Sequence, residues 1–155
     1  MKKLEDKGEC LSDFCDYRIV GCPSCSKPVD FLDLTVTCMH CGYHKAFKPK
    51  DAWYKLVPIT VELEDFLEIP CCGQTLWAMN VEHLDFLERY VEADLRGRLP
   101  NLNRSLASRL PPWIKSSKNR QEILKGISRL RLKLKKGNYT SKKTNRGEQI
   151  TVAYW

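Results

Sequence analysis

Two pairs of cysteines stand at metal-ligand spacing, Cys22-x2-Cys25 in "CPSC" and Cys38-x2-Cys41 in "CMHCGYH", with twelve residues between them. A C-x2-C turn directs two thiolates at one point. Two such turns supply the four soft donors that zinc takes in a tetrahedron at about 2.3 Å. Gly42 follows the last cysteine, where the turn needs a residue tolerant of positive φ, whereas Ser26 holds the corresponding place after Cys25. A zinc ion with all four positions filled has no room for water or substrate, so the expected role of Cys22, Cys25, Cys38 and Cys41 is a structural staple rather than a catalytic centre.

Four cysteines lie outside this set. Cys71 and Cys72, followed by Gly73, look like a degenerate third knuckle, and Cys10-x4-Cys15 would be needed to complete a second zinc site with them. Adjacent cysteines make an awkward chelate, and small buried cysteines are common. The three histidines are His40 and His44, in or beside the second knuckle, and His83. A nucleophilic pair of His83 with Cys71 or Cys72 is conceivable, but a capped, partly buried histidine is the simpler expectation. The sequence has no phosphate-binding glycine loop, no dinucleotide fingerprint and no nuclease-like acidic cluster. The acids of "ELEDFLE" are explained by the solvent side of a strand. No enzymatic activity and no small-molecule substrate are expected.

The opening "MKKLEDKGEC" has no apolar run behind its lysines, and nothing in the chain approaches the eighteen or so apolar residues of a membrane span. A cytoplasmic location is expected, with no membrane partner. In that reducing setting paired cysteines point to metal rather than to disulfides. Hydrophobic residues at 43% and charged residues at 29% place the chain among folding, globular sequences.

The elements that must position these residues can be read from periodicity. Between the cysteine pairs, Val29, Phe31, Leu34 and Val36 fall in a loosely alternating run broken near Leu32 and Asp33, as two short strands and a turn require. Residues 51–70 are rich in aromatic and β-branched residues and predict another strand or two, with Pro58 as a break or an edge. Asn80 is a good helix N-cap. From there Val81, Leu84, Leu87, Val91 and Leu95 form one helical stripe, and Phe86, Tyr90 and Ala93 form a second apolar patch, for the helix's own core or for a partner. A short helical piece ends at Pro111 and Pro112, and Trp113 and Ile114 pin the linker after it. A third helix begins near Asn119, with Glu122 in capping-box relation to it. Ile123, Ile127, Leu130 and Leu134 point inward there, and Lys125, Arg129, Lys133 and Lys136 share the opposite side. The "GNYTSKKTNRG" segment is expected to be polar and mobile, and "QITVAYW" to be an added strand or a hydrophobic tail.

The motif "CPSC…CMHCGY" resembles the zinc ribbons of the transcription-factor-IIB and rubredoxin-like type over residues 20–47. The resemblance implies two knuckles joined by short β-strands around one ion, and zinc is preferred to iron because the first knuckle lacks the glycine usual in rubredoxin. With "LWAMNVEHLDFLERYV" and "RSLASRLPPWIKSSKNR", most of the chain is similar to small bacterial zinc-ribbon proteins, a likeness that implies no mechanism. The expected fold class is α+β: an N-terminal extension at 1–20, a ribbon and β-rich part at 21–76, a helical basic part at 77–136 and a basic tail at 137–155.

Charge is divided unevenly. Met1 to Leu95 carry 10 Lys and Arg against 17 Asp and Glu, a balance of −7; Arg96 to Trp155 carry 16 against 2, a balance of +14. Solubility alone rarely demands such one-sidedness. The expected partner is DNA or RNA, held through its phosphates by Lys118, Arg120, Lys125, Arg129, Lys133, Lys136, Lys142 and Lys143, with Arg104, Arg109 and Lys115 extending the patch and Trp113 able to stack on a base. The alternative is a protein–protein adaptor that docks through the basic helix, with Phe86, Tyr90 and the terminal "TVAYW" as apolar anchors.

Overall fold

The computed structural model describes residues 3–5, 8–14, 16–48, 52–53, 57–58, 63–93, 95–97 and 105–140. In chain order its elements are strands β1 (Lys3–Glu5), β2 (Arg18–Gly21), β3 (Pro28–Leu32), β4 (Thr35–Thr37), β5 (His44–Ala46), β6 (Ala52–Trp53), β7 (Val57–Pro58), β8 (Glu68–Cys71) and β9 (Gln74–Trp77). Helix α1 (Val81–Glu92), strand β10 (Leu95–Gly97) and helices α2 (Leu106–Arg109), α3 (Pro112–Lys115) and α4 (Arg120–Lys136) follow. The fold is α+β, with antiparallel strands in the first half and helices at the end. The chain groups into two compact units, 1–15 with 68–129 and 16–67 with 130–155. Residues of α4 belong to both.

In the unit formed by 16–67 and 130–155, β2, β3, β4 and β5 make a four-stranded antiparallel sheet in sequential order. The expected hairpin between the cysteine pairs is β3–β4, with Leu32 opposite Thr35 and a two-residue turn at Asp33 and Leu34, φ 50° and 59°. Positive φ at both turn positions matches the right-handed twist of the strands. The sheet begins earlier than the composition suggests: Arg18–Gly21 is its edge strand, and it is flanked by 64–66 through Gly21 N to Glu64 O (2.9 Å) and Phe66 N to Ile19 O (3.2 Å). Ile19, Phe31, Val36, Leu67, Leu130 and Leu134 are fully buried here, and Phe31 meets Phe47 edge-on at 5.6 Å. The short β6–β7 pair places Pro58 opposite Ala52.

The end of α4 is more ordered than "KGNYT" suggests. Asn138 takes a left-handed φ of 51°, its N–H bonds to the Lys135 carbonyl (3.1 Å), and the Tyr139 N–H bonds to the Leu134 carbonyl (3.0 Å). These two bonds form a Schellman cap, which satisfies carbonyls that the helix end leaves open. Tyr139 is thereby buried, and its hydroxyl donates to Asp30 Oδ1 at 2.5 Å. Only a residue without a Cβ fits before it, because a Cβ at Gly137 would lie 2.4 Å from Pro28 Cδ. The expectation of a polar, mobile segment therefore does not hold for residues 137–140, and residues 141–155, including the terminal "QITVAYW", lie outside the described residues.

In the unit formed by 1–15 and 68–129, α1 is capped as its sequence demands: Asn80 Oδ1 accepts from the His83 N–H at 3.0 Å, and the Asn80 amide donates to the Phe14 carbonyl. Val81, Leu84, Phe86, Leu87, Tyr90 and Val91 are buried in the same unit. Both apolar stripes therefore serve the protein's own core, and Phe86 and Tyr90 are not the exposed anchors an adaptor would use. Leu95 does not extend the helix; α1 ends at Glu92, and β10 pairs in parallel with β1, Lys3 opposite Leu95. The strand β1 thus lies within what reads as a polar extension. The "CCG" triplet is a hairpin tip rather than a knuckle: β8 and β9 pair with Cys71 opposite Gln74, and Cys72 and Gly73 form the turn at φ 54° and 72°. Trp113 and Ile114 sit in the one-turn helix α3 rather than in a linker. A 3-10 turn at Ser117–Asn119 leads into α4, and the Asn119 amide donates to the Trp113 carbonyl at 2.8 Å.

Candidate metal centre and basic helix

Each cysteine pair is bent by the same backbone device. In the first turn the Ser26 N–H bonds to the Cys22 carbonyl (2.8 Å) and the Cys22 N–H to Lys27 O (2.9 Å); in the second the Gly42 N–H bonds to Cys38 O (3.0 Å) and the Cys38 N–H to Tyr43 O (2.7 Å). Ser26 and Gly42 take equivalent left-handed conformations, φ 65° and 81°. The serine therefore fills a glycine's place at the cost of backbone strain. The β3–β4 hairpin then carries the second turn back onto the first.

The result brings Cys22, Cys25, Cys38 and Cys41 together, with all four sulfurs within 4.8 Å of one another. Cys22 Sγ lies 3.6 Å from Cys41 Sγ, and Cys25 Sγ lies 3.6 Å from Cys38 Sγ. Four sulfurs held about 2.3 Å from one centre in a tetrahedron would be about 3.8 Å apart, so the cluster has the dimensions of a single-ion cage. Four thiols this close compete for ionisation in the absence of a cation. The Lys27 amide acts to lower the Cys25 thiol, but desolvation and the neighbouring sulfurs outweigh it and push Cys25 up to about 12. The Tyr43 amide leads the effects that bring Cys41 down to about 7. A bound divalent ion removes this conflict by stabilising thiolates together, and the amides directed at the sulfurs support them. Cys22 and Cys38 are buried and Cys41 is exposed, so the cage lies at the surface of its unit. His44 is not part of it; its Nδ1 lies 2.9 Å from Thr37 Oγ1.

No second cluster of three or more ligand residues occurs among the described residues. Cys71 and Cys72 lie side by side with sulfurs 3.7 Å apart, Cys10 donates to the Gly8 carbonyl, and Cys15 is outside the described residues. His83 is buried, its Nδ1 accepts from the Met79 N–H at 3.0 Å, and its ring packs against Phe14 and Trp77. Burial holds it down to about 4, so it is a neutral structural imidazole at physiological pH.

On α4 the inward residues Ile123, Ile127, Leu130 and Leu134 are all fully buried. Lys125, Arg129 and Lys136 are exposed, as is Lys118 in the preceding turn. Two of the expected phosphate-binding residues are engaged within their own units. Lys133 donates to the Phe66 carbonyl at 2.9 Å and stands 4.7 Å above the Phe66 ring, and Arg120 donates to the Ala93 carbonyl at 3.3 Å. Their alkyl stems and charges are used to hold backbone and ring in place, which helical spacing does not reveal. Lys135, absent from the expected set, is exposed on the same helix. Lys142 and Lys143 lie outside the described residues, and Lys115 donates to the Ser108 carbonyl at 2.8 Å.

Compared with family models, with curated proteins and with solved structures, the chain matches none. The site therefore stands on its own geometry: a small α+β protein in which four cysteines are placed to coordinate one metal ion. Among the described residues, no helix is long and apolar enough to cross a membrane.

Proposed function

We propose that the protein is a zinc-stabilised nucleic-acid-binding protein that grips the phosphate backbone through α4 and the turn before it. The observation that carries this reading is the charge of residues 105–140, where ten Lys and Arg face a single acid, Glu122. Lys118, Lys125, Arg129, Lys135 and Lys136 are exposed along this stretch, while the opposite side of the helix is committed to the core. A helix that exposes Lys125, Arg129, Lys135 and Lys136, with Leu132 among them, places charges at steps that a phosphate chain can follow, releasing counterions as it binds. The cage of four thiols suits zinc better than harder cations, because thiolates are soft donors and the cage is closed. The resemblance of the two knuckles to zinc ribbons agrees with that choice.

Fluorescence anisotropy with a mixed-sequence DNA duplex and a single-stranded RNA, at low and at physiological salt, tests the reading. The expected result is binding that weakens steeply with salt, and a loss of about tenfold or more when Lys125 and Arg129 are both changed to Glu. Absence of binding at low salt, or binding indifferent to the charge reversal, removes the proposal. Elemental analysis of the same sample should find one zinc per chain.

A further inference from the structure

The tip of the β8–β9 hairpin carries two adjacent thiols that the four-cysteine cage does not use. Cys71 Sγ and Cys72 Sγ lie 3.7 Å apart, close to the 3.6 Å bite of the paired sulfurs in the cage. Cys71 is buried, its thiol reaches the Glu122 carbonyl at 3.7 Å, and it rests against the bare stretch of α4 at Gly126, where an added Cβ would come 3.5 Å from its sulfur. Cys72 is half-buried and occupies the turn itself.

Three kinds of chemistry compete for such a pair. Nucleophilic catalysis is disfavoured because burial, with Cys72 and Glu122 adding to it, pushes the Cys71 thiol up to about 11. A disulfide between neighbours is strained, since their Cα atoms are only about 3.8 Å apart and a relaxed bridge wants roughly 4.4–6.8 Å. A structural zinc wants four ligands, and among the described residues three or more ligand groups meet only at Cys22, Cys25, Cys38 and Cys41. What fits two thiols and no more is a centre that takes two sulfurs and keeps its own third substituent.

We propose that Cys71 and Cys72 form a dithiol binding site for a trivalent, thiophilic metalloid compound of the monosubstituted arsenical type. The step is a condensation without redox change. With an R–As=O compound, each thiol gives up its proton, two As–S bonds form, the As–O bond breaks and the oxygen leaves as water with both protons. The hairpin turn holds the two sulfurs 3.7 Å apart, slightly wider than two bonds to one arsenic atom span, so binding closes them a little and turns the Cys71 thiol away from the Glu122 carbonyl.

Phenylarsine oxide added at one equivalent to the zinc-loaded protein tests this by intact-mass spectrometry and by mapping of the adduct. The expected product is a single phenylarsenic bridge on Cys71 and Cys72, with zinc retained and with release by a small dithiol but not by a monothiol. Cys72→Ser, a change on the half-exposed turn, should lower adduct formation tenfold or more while zinc content and circular dichroism stay unchanged. Mapping on the unaltered protein decides the matter even where the variant folds poorly. An adduct on other cysteines, loss of zinc in step with labelling, or no adduct at one equivalent overturns the proposal.

Discussion

The two halves of the structural problem are solved by different means. The turns at 22–27 and 38–43 are bent by a handful of backbone bonds and bring four sulfurs to one point, where a metal ion could join them, with exposed residues such as Met39 at their tips. The region around α1 holds its shape through apolar burial: Leu84, Phe86 and Leu87 are at most 2% exposed, and Phe14 closes over them with its ring 5.6 Å from that of Phe86. A metal cage concentrates stability in a few bonds that a chelator can remove; an apolar core spreads it over many contacts. A chelator should therefore act on the turns, and truncation of a buried side chain on the region around α1.

The largest effect should come from the cage. Structural zinc in small knuckles contributes on the order of 10 kcal/mol or more of apparent binding free energy at neutral pH. Cys41→Ser or removal of metal by a chelator should release the ion and abolish amide protection in β2–β5, while α1 amides stay protected; hydrogen exchange measures both. Retained metal, or loss of α1 protection in step with the sheet, would show that the two regions are not held by different forces.

Phe86→Ala should act in the opposite way. Truncating a ring buried at 2% exposure costs about 3–5 kcal/mol by lost transfer energy and cavity formation, read as a fall in the denaturant midpoint, with the metal content unchanged. Loss of metal in this variant would show that the core supports the cage.

Acidification probes the same core through His83. Its folded pKa, held down to about 4 from an ordinary 6.5, means the unfolded chain binds the proton first. The neutral, buried form therefore contributes stability above pH 6.5 that is lost as pH falls toward 4, up to about 3 kcal/mol. Urea titrations across this window should show the slope, and His83→Gln should flatten it. An unchanged slope in that variant places the acid sensitivity elsewhere.

The smallest effect is expected at the first turn of the cage. Ser26 holds a φ of 65° where Gly42 holds 81°, so Ser26→Gly should relieve strain and raise stability by about 1 kcal/mol or less. Thermal unfolding of the metal-loaded protein would detect it. A loss of stability would mean that the serine side chain contributes something that its backbone conformation does not show.

Much of this was legible in residue types and spacing. Local rules act over a few positions, so the two C-x2-C turns, the hairpin between them, the Asn80 cap and the inward row Ile123, Ile127, Leu130 and Leu134 could be read directly. What escaped were pairings between distant segments. Lys3–Glu5 gives no sign that it will meet Leu95–Gly97, because a parallel pair is specified by neither strand alone. "CCG" resembles a knuckle until Gln74–Trp77 returns along Glu68–Cys71 and turns it into a hairpin tip.

By itself, the sequence determined the chemistry available: four thiols at ligand spacing, a helix with one apolar side, and a cationic second part. Tertiary structure alone decided which groups remain accessible. Lys133 and Lys125 share a helix side and a charge, yet one is tied to the Phe66 carbonyl and ring while the other is exposed. Helical spacing sets the direction of a side chain, whereas its partner is set by whatever distant segment the fold brings within about 3 Å of it.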